Sequence, residues 1–193
     1  MDGRIQLILG GARSGKSAWA QRVAEQSGRS VIFVATATAG DAEMAERIAI
    51  HRSTRPPTWR TLESPEQLLA PISQHAVTGD VVLVDCLTLW VSNVILRRLG
   101  GADPDQVPSR EWSSIESDLV AEIERLVDWV ETNDVAAIIV SNEVGMGIVP
   151  AFPLGRRYRD ALGQVNRAVA TRAGSVILML AGIPVDLRRL ASP

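Results

Sequence analysis

An octapeptide close to the N-terminus, GGARSGKS from Gly10 to Ser17, constrains the fold more than any other feature of the sequence. It follows an apolar run that is typical of a β-strand, Ile5–Leu9, and it leads into a stretch of helical character, Ser17–Gln26. Glycines in this spacing, followed by a lysine and a hydroxyl residue, let a strand turn into a helix whose first N–H groups face an anion. The segment therefore predicts a strand–loop–helix unit that binds phosphate groups.

Lys16, inside this loop, is the only lysine among the 20 lysine and arginine residues of the chain. An ammonium group is a compact charge that can approach a polyphosphate end-on, whereas a guanidinium is planar and forked. The chain thus keeps its lysine at the position where arginine is not equivalent. Ser17 supplies a hydroxyl that can hold Mg²⁺ beside the phosphates. The alternative is a glycine-rich turn without a ligand, and the agreement of motif and context argues against it.

Apolar runs and amphipathic stretches alternate along the rest of the chain. The further runs that predict strands are Val31–Ala35, Thr58–Leu62, Val81–Val84, Ala136–Val140 and Val176–Leu180. The further stretches that predict helices are Asp41–His51, with Asp41 as N-cap, Ser64–Gln74, begun by the capping-box pattern SPEQ, Leu87–Leu99, Trp112–Thr132 and Arg157–Ala173. Apolar strands that alternate with helices predict a parallel sheet covered on both faces. The expected fold is α/β: a single domain over residues 1–193, of the phosphate-loop NTPase type, with a mostly parallel, doubly wound sheet flanked by helices.

Composition narrows the class of function. The formal net charge is −2, so neither a nucleic acid nor a membrane surface is an expected partner. No apolar run reaches the roughly 18 residues that a membrane span requires. The single cysteine, Cys86, excludes an internal disulfide framework and fits a reducing cytoplasm, where we expect the protein to reside. Cys86 itself is interpreted as a small buried residue rather than a nucleophile.

Two further residues are candidates for chemistry because of their positions. Asp85 ends a predicted strand, at the edge where open α/β sheets bind ligands, and can hold Mg²⁺ or contact a nucleotide. Its alternative role is to cap the helix that begins at Leu87. Met44, Ile48 and His51 fall on one helical stripe, so His51 ends an inward face. An imidazole there can attack phosphorus and form a phosphoramidate, and helix capping or packing is the alternative.

A glycine-rich loop, SNEVGMGIVP from Ser141 to Pro150, follows the predicted strand Ala136–Val140. It is expected at the same sheet edge, and its glycines permit the close approach of a ligand or partner to Asn142 and Glu143. An ordinary surface loop would also be rich in glycine and proline. The arginines that begin the next helix can clamp phosphates or form a solvated face; they are Arg156, Arg157 and Arg159. The second histidine, His75, is interpreted as a solvated helix cap.

Taken together, these segments resemble a known family. GGARSGKS, RIAIHRSTRPPTWRTLE, VVLVDCLTLWVSN, and SNEVGMGIVP with the later RRYRDALGQVNRAVA are similar to the bifunctional adenosylcobinamide kinase/adenosylcobinamide-phosphate guanylyltransferases of cobalamin biosynthesis. The resemblance runs from Ile5 to about Gly182. Many families share the phosphate loop, whereas H-R-x-x-R-P-x-x-W-R-T-x-E together with N-E-V-G-M-G-I-V-P is far more specific.

The resemblance implies two reactions in one chain. ATP or GTP phosphorylates the hydroxyl on the aminopropanol arm of adenosylcobinamide, and GMP then passes from GTP to adenosylcobinamide phosphate, giving adenosylcobinamide-GDP and pyrophosphate. It implies that His51 is guanylylated, that Lys16 assists catalysis, and that the protein is a homotrimer. Mg²⁺ would lie at Ser17 and Asp85. The implied nucleotide contacts are Gly10, Gly11, Ala12, Arg13, Ser14, Gly15, Lys16, Ser17, Ala35, Thr36, Ala37, Arg52, Ser53, Thr54, Arg55, Glu63 and Asp85.

The match has one departure and leaves alternatives. Some members carry two adjacent histidines where this chain has Ile50–His51, and the histidine kept here is the one that matches the nucleophile. A regulatory GTPase would read guanine with an Asn-Lys-x-Asp segment, which needs a second lysine that this chain lacks. A small-molecule kinase without guanylyl transfer is an alternative that would have no use for His51. A non-catalytic relative is a further alternative. All matched positions carry the residue types expected of the active family, which argues against it.

Overall fold

Strands and helices follow one another along the chain from Ile5 to Ala191, alternating except where two helices are consecutive, Leu87–Leu99 and Ser109–Thr132, and where two strands are, Ser175–Leu180 and Ile183–Asp186. The computed structural model describes residues 3–40, 42–53 and 55–191, and for Glu43, Met44, Arg47 and His51 the description covers the backbone alone. The predicted N-cap Asp41 and the predicted nucleotide contact Thr54 lie outside the described residues. The predicted inward orientation of Met44 and His51 stays a prediction for the same reason.

The element bounds largely follow the pattern of apolar runs. The strands are β1 (Ile5–Gly10), β2 (Val31–Ala35), β3 (Arg60–Glu63), β4 (Val81–Asp85), β5 (Ala136–Val140), β6 (Ser175–Leu180) and β7 (Ile183–Asp186). The helices are α1 (Lys16–Gln26), α2 (Ala42–Ser53), α3 (Leu69–His75), α4 (Leu87–Leu99), α5 (Ser109–Thr132), α6 (Pro153–Arg172) and α7 (Leu187–Ala191). Both long helices, α5 and α6, begin slightly earlier than predicted.

The strands within the described residues form one sheet in the order β3-β2-β4-β5-β1-β6-β7. Every pairing is parallel except that of β6 with β7. The register aligns the carboxyl ends: Ala35 pairs with Asp85, Asp85 with Val140, and Val140 with Ile8. Because parallel strands that end level with one another present their following loops at one edge, this register builds the site.

Apolar side chains cover both faces of the sheet, as the prediction of a doubly wound α/β fold requires. On one face, Leu7 and Ile139 belong to a buried cluster with residues of α4, α5 and α6. On the other face, Ile8, Phe33 and Ile138 pack with the buried alanines of α1. Alternate residues of one strand therefore enter different cores, which is why the strands are apolar throughout rather than alternating.

The predicted start of the third helix is wrong. The capping box at Ser64 would begin a helix there, but α3 begins at Leu69. The Ser64 hydroxyl instead donates to the carbonyl of Gln67. The N–H groups of Leu68 and Leu69 donate to Glu122 Oε1 at 3.2 and 3.1 Å. A carboxylate from α5 thus supplies the cap that local sequence was expected to supply.

The last strand and helix were not predicted. Ala181 and Gly182, with φ angles of 49° and 83°, form a two-residue turn that sends β7 back antiparallel to β6. Four residues, Ile183–Asp186, are too few for a clear periodic pattern. The turn matters for the site, because the N–H of Gly182 donates to the carbonyl of Ser14 at 3.1 Å, inside the phosphate loop.

Candidate active site

The phosphate loop joins β1 to α1, and the backbone conformation at Gly10 and Gly15 favours glycine at both positions. A Cβ at Gly10 would lie 2.6 Å from the Met179 carbonyl oxygen and 2.7 Å from Ser14 Oγ. Gly15, the N-cap of α1, has a φ of 94°, which side chains with a Cβ rarely adopt. Ser14 Oγ is buried and has no hydrogen-bond partner among the described residues. Buried polar groups are normally satisfied, so this hydroxyl fits a loop that closes around an anion.

Lys16 is the first residue of α1, and it is buried against the phosphate loop. Its side chain is only 8% exposed, and Nζ donates to the carbonyl of Gly11 at 2.6 Å. Burial lowers the pKa of Lys16 below its usual 10.5, although the nearby charge of Asp85 acts in the opposite direction. A desolvated ammonium of this kind gains strongly from a phosphate group, because the attraction is less screened than in water.

Thr36 links the ends of β2 and β4 beneath the cavity. Its fully buried hydroxyl accepts a hydrogen bond from the Cys86 N–H and donates to the Cys86 carbonyl, both at 2.8 Å. The carbonyl of Thr36 in turn accepts from Asn93 Nδ2 at 2.8 Å. The Asp85–Cys86 peptide bond is cis. The hydroxyl of Thr36, the residue after β2, thus holds the backbone that follows Asp85, and Asn93 of α4 holds Thr36.

Two arginines line the cavity at the end of α2, Arg52 in its last turn and Arg55 just after it. The guanidinium carbon of Arg55 lies 3.6 Å from the centroid of the Phe33 ring. Burial lowers the pKa of Arg55, while the Asp85 charge raises it. Arg52 is more exposed and pairs with Glu63 at 3.5 Å. Both arginines thus bring positive charge to the cavity that Lys16 and Ser17 also line.

One cavity of about 780 Å³ collects these groups at the carboxyl edge of the sheet. Its size is within the range of small-molecule sites. The predicted site residues that line it are Ala12, Arg13, Lys16, Ser17, Ala35, Ala37, Arg52, Arg55, Glu63 and Asp85. Ile48 of α2 also lines it, so one face of the helix that carries His51 borders the cavity. The elements that were predicted to meet from sequence therefore do meet.

Other predicted site residues are near the cavity without lining it. Gly10, Gly11, Ser14 and Gly15 form the loop backbone, whose N–H groups are what a phosphate would contact. The side chain of Thr36 is committed to Cys86, as described above. Ser53 is exposed and its hydroxyl donates to the carbonyl of Ile50 at 2.9 Å. The contacts predicted at these positions stay predictions.

Comparison with known proteins shows which family has these features. Residues 6–187 match the family model described as cobinamide kinase / cobinamide phosphate guanyltransferase. The chain belongs to this family. It is 44% identical over 182 residues to the bifunctional adenosylcobalamin biosynthesis protein CobP of Pseudomonas aeruginosa, covering 94% of this chain and 96% of that protein. The Escherichia coli K12 protein CobU, also named a bifunctional adenosylcobalamin biosynthesis protein, is 38% identical over 94% of this chain and 98% of its own length.

A likeness to a solved structure concerns the fold alone. The RadB recombinase crystal structure superposes with a TM-score of 0.50 at 15% sequence identity, covering 92% of this chain and 74% of that chain. This agrees with the phosphate-loop NTPase type of sheet expected for the family. No helix in the described residues is both long and apolar enough to cross a membrane.

Several cavity residues of this family member were not predicted as site residues. Phe33 lies inside a buried strand, where nothing local separates it from core residues. Thr88 and Leu89 are in the first turn of α4, directly after Asp85. Asn142 differs from these residues, because the sequence already placed it at this edge of the sheet, in the loop after β5, with an ordinary surface loop as the alternative; it does line the cavity.

Contacts in the structure bear on the alternative roles of Asp85, Cys86 and His75. Helix α4 has Cys86, not Asp85, at its N-cap position. Burial raises the pKa of the Cys86 thiol to about 11, which keeps it protonated near neutral pH and agrees with its interpretation as a non-nucleophilic buried residue. His75 is exposed, with Nδ1 2.8 Å from the Pro71 carbonyl oxygen, as expected for a solvated helix cap.

The arginines at the start of α6 are occupied with protein groups. Arg156 Nη1 donates to the carbonyls of Pro150 and Ala151 at 2.9 and 2.7 Å. Arg157 lies 3.9 Å from Glu116, and Arg159 lies 3.1 Å from Asp160. None of these arginines lines the cavity. The contacts favour a structural role over a phosphate clamp.

A magnesium ion fits the donor groups at the phosphate loop. Ser17 and Asp85 both line the cavity and offer a hydroxyl and a carboxylate oxygen. Mg²⁺ prefers oxygen donors and takes only one or two protein ligands when phosphates and waters complete its shell. Among the described residues there is no cluster of three or more His, Cys, Asp or Glu side chains that could hold a metal. A magnesium ion brought in with a nucleotide fits this pair better than a resident ion would.

Proposed function

We propose that this family member phosphorylates adenosylcobinamide with ATP or GTP and then transfers GMP from GTP to adenosylcobinamide phosphate, with His51 as the guanylylated residue. One observation carries the proposal. The same cavity is lined by the phosphate loop, by Asp85, and by Ile48 and Arg52 on the helix that bears His51. A simple kinase needs the first two elements, whereas guanylyl transfer also needs the third.

The charges around the cavity suit a triphosphate. Lys16 would contact the terminal phosphates end-on, and Arg55 would contact them from the opposite side with its planar guanidinium. Ser17 and Asp85 would hold Mg²⁺, which neutralises phosphate charge when it is bound. Because these groups are oriented before the substrate arrives, little reorganisation is needed as charge develops during transfer.

Guanylyl transfer proceeds in two displacements. A His51 ring nitrogen attacks the α-phosphorus of GTP, and the bond from that phosphorus to the bridging oxygen breaks, so that pyrophosphate leaves. A phosphate oxygen of adenosylcobinamide phosphate then attacks the same phosphorus, the P–N bond breaks, and the imidazole is restored. A phosphoramidate divides one difficult step into two easier ones. Ile48 and His51 are spaced as neighbours on one helical face, and this spacing supports the assignment.

The kinase reaction uses the same phosphate loop. The hydroxyl oxygen of the aminopropanol arm attacks the γ-phosphorus, and the bond to the β,γ-bridging oxygen breaks to release a nucleoside diphosphate. Phosphoryl transfer depends mainly on positioning and charge neutralisation. Lys16 and the loop N–H groups supply both, so one set of residues can serve the two reactions in turn.

Intact-mass measurement after incubation with GTP and Mg²⁺ tests the proposal. We expect a GMP adduct on the wild-type chain that is absent from His51→Ala and present on His75→Ala. His75 is a matched control, because it is the other histidine of the chain and its ring is exposed at the end of α3. An adduct that survives in His51→Ala, or a wild-type chain that phosphorylates adenosylcobinamide without forming any adduct, would overturn the guanylyl-histidine mechanism.

A homotrimer is also proposed. The family resemblance implies it, and the loop after β5 carries large apolar side chains that a second copy could cover: Met146, Ile148 and Phe152 are 83%, 97% and 78% exposed. Exposed apolar patches of this kind mark interfaces. Sedimentation equilibrium should show a trimer that dissociates in Ile148→Glu. Leu190→Glu, at an exposed site on α7, should leave the trimer intact.

The remaining expectations belong to the same proposal. Residues 1–193 act as one kinase/guanylyltransferase domain, and neither a nucleic acid nor a membrane is a partner. A cytoplasmic location is supported by the single thiol, which burial keeps protonated and unreactive.

A further inference from the structure

Asn142 follows the end of β5. In the sheet, β5 lies between β1, which leads into the phosphate loop, and β4, which ends at Asp85. Val140 pairs with residues of both strands. After β5 ends, the backbone remains hydrogen-bonded to β1. The N–H groups of Ser141 and Glu143 donate to the carbonyls of Ile8 and Gly10 at 2.9 and 3.1 Å. Asn142, between those two donors, is thus held level with the start of the phosphate loop.

The backbone of Asn142 is bound from the opposite side. Its N–H donates to Thr88 Oγ1 at 2.8 Å, and its carbonyl accepts from Asn166 Nδ2 at 3.0 Å. Tyr158 donates to the Thr88 carbonyl at 3.2 Å, which ties the first turn of α4 to α6. Both backbone polar groups of Asn142 are therefore used, and the position of its Cα is set by two helices and one strand.

The side chain of Asn142 is used differently from those of the other asparagines nearby. Asn93 and Asn166 donate to backbone carbonyls and so hold the fold together. Within the described part of the chain, no residue is hydrogen-bonded to the amide of Asn142, which lines the cavity with Lys16, Ser17 and Asp85. A half-buried amide in that place offers two N–H donors to a ligand without adding charge.

We propose that Asn142 is a catalytic residue whose Nδ2 donates a hydrogen bond to the terminal phosphate of the bound nucleoside triphosphate. The inference rests on the proposed function of the same cavity. In the kinase reaction this phosphate is the group transferred, and in guanylyl transfer it belongs to the departing pyrophosphate. A preoriented donor stabilises the charge that shifts onto these oxygens in either step.

The distinguishing property is recognition of a third phosphate. Asn142→Ala should weaken GTP binding about tenfold, change GDP binding less than about twofold, and lower the kinase kcat about 100-fold, the usual effect of removing one such donor. Asn142→Asp, of nearly equal shape, replaces a donor by a carboxylate and should weaken GTP binding further than Asn142→Ala does. Calorimetric titration with GTP and with GDP in Mg²⁺, carried out in a His51→Ala background so that no GMP adduct forms, gives both affinities, and adenosylcobinamide phosphorylation by the chains that keep His51 gives kcat.

A merely structural role for Asn142 would lower the affinities for GTP and GDP equally, and that result would overturn the inference. Unchanged GTP affinity and kcat in Asn142→Ala would overturn it as well. Asn133→Ala, at the exposed end of α5, should match the wild type in every measurement. A wild type that discriminates GTP from GDP through Asn142 yet forms no GMP adduct would contradict the proposed function alone. A wild type that binds neither nucleotide would overturn both.

Discussion

The central carbon of the Arg55 guanidinium lies over the ring of Phe33, 3.6 Å from the ring centroid. Phe33 is in turn stacked with Trp59, with ring centroids 6.4 Å apart and planes inclined by 25°. A cation thus rests on an aromatic pair at the wall of the cavity. Arg55 Nε is buried and has no hydrogen-bond partner among the described residues. The stack therefore holds a partly desolvated charge at the cavity that Lys16 and Ser17 also line.

Arg55→Lys should weaken GTP binding about threefold to thirtyfold, because lysine keeps the charge and loses both the planar stack and the forked donors. Calorimetric titration with GTP, in a His51→Ala background in which no GMP adduct forms, measures the change. Arg22→Lys is the matched control, since Arg22 lies 5.2 Å from the Trp19 ring on α1 and does not line the cavity. Equal losses in the two variants would mean that the stack at Phe33 has no special part in binding.

Lys16 should titrate below its usual pKa of 10.5 in the free protein, because burial disfavours the ammonium form. Bound GTP places negative charge beside Nζ and should raise that pKa again. The chain has a single lysine, so protein made with isotope-labelled lysine gives one side-chain NMR signal that can be followed against pH. A titration midpoint that does not rise when GTP and Mg²⁺ are added would contradict contact between Lys16 and the phosphates.

Thr36→Val keeps the side-chain shape and removes the hydroxyl, which is hydrogen-bonded to both the backbone N–H and the backbone carbonyl of Cys86. The Cys86 N–H is then left without its acceptor, which should lower the free energy of unfolding by about 1–3 kcal/mol. Thr36→Ser retains the hydroxyl and should lose much less. Urea denaturation measures the difference, with Thr58→Val at an exposed position as control. Equal stability of Thr36→Val and Thr36→Ser would show that the hydroxyl does not support the end of β4.

Glu122→Gln should lower stability at about pH 7 but not in acid. Burial raises the pKa of Glu122, and the hydrogen bonds from Arg125, Leu69 and Leu68 outweigh it, so the net pKa is lowered. A carboxylate with a lowered folded-state pKa stabilises the fold above its unfolded-state pKa of about 4.5 and loses that contribution as pH falls through the folded-state value.

Urea denaturation at a series of pH values tests this prediction. The wild type should be more stable than Glu122→Gln by about 1 kcal/mol near neutral pH, as expected for a helix cap, and the difference should vanish in acid. Glu124→Gln, exposed on the same helix, should follow the wild type at every pH. A difference between wild type and Glu122→Gln that is independent of pH would rule out a role for the charge.

The contrast between Ser64 and Gly10 shows where local sequence is informative. Gly10 sits in a motif whose glycines, lysine and serine all refer to one short turn, so its conformation was predictable. Ser64 had an equally local pattern, yet a tertiary contact decided the outcome: Glu122, from α5, bonds the free N–H groups at the start of α3. A local cap is worth about 1 kcal/mol, which a tertiary contact of the same kind can equal.

The sequence by itself determined the phosphate loop, the succession of strands and helices, and the edge of the sheet at which the site lies. These features depend on residues close together in the chain and on the rule that open parallel sheets bind ligands at the carboxyl ends of their strands. Only the tertiary structure decided that Arg55 rests on Phe33, that Thr36 holds Cys86, and that Asn142 reaches the cavity beside Lys16. Each of these contacts depends on strand order and register, which place distant segments side by side and which no local pattern encodes.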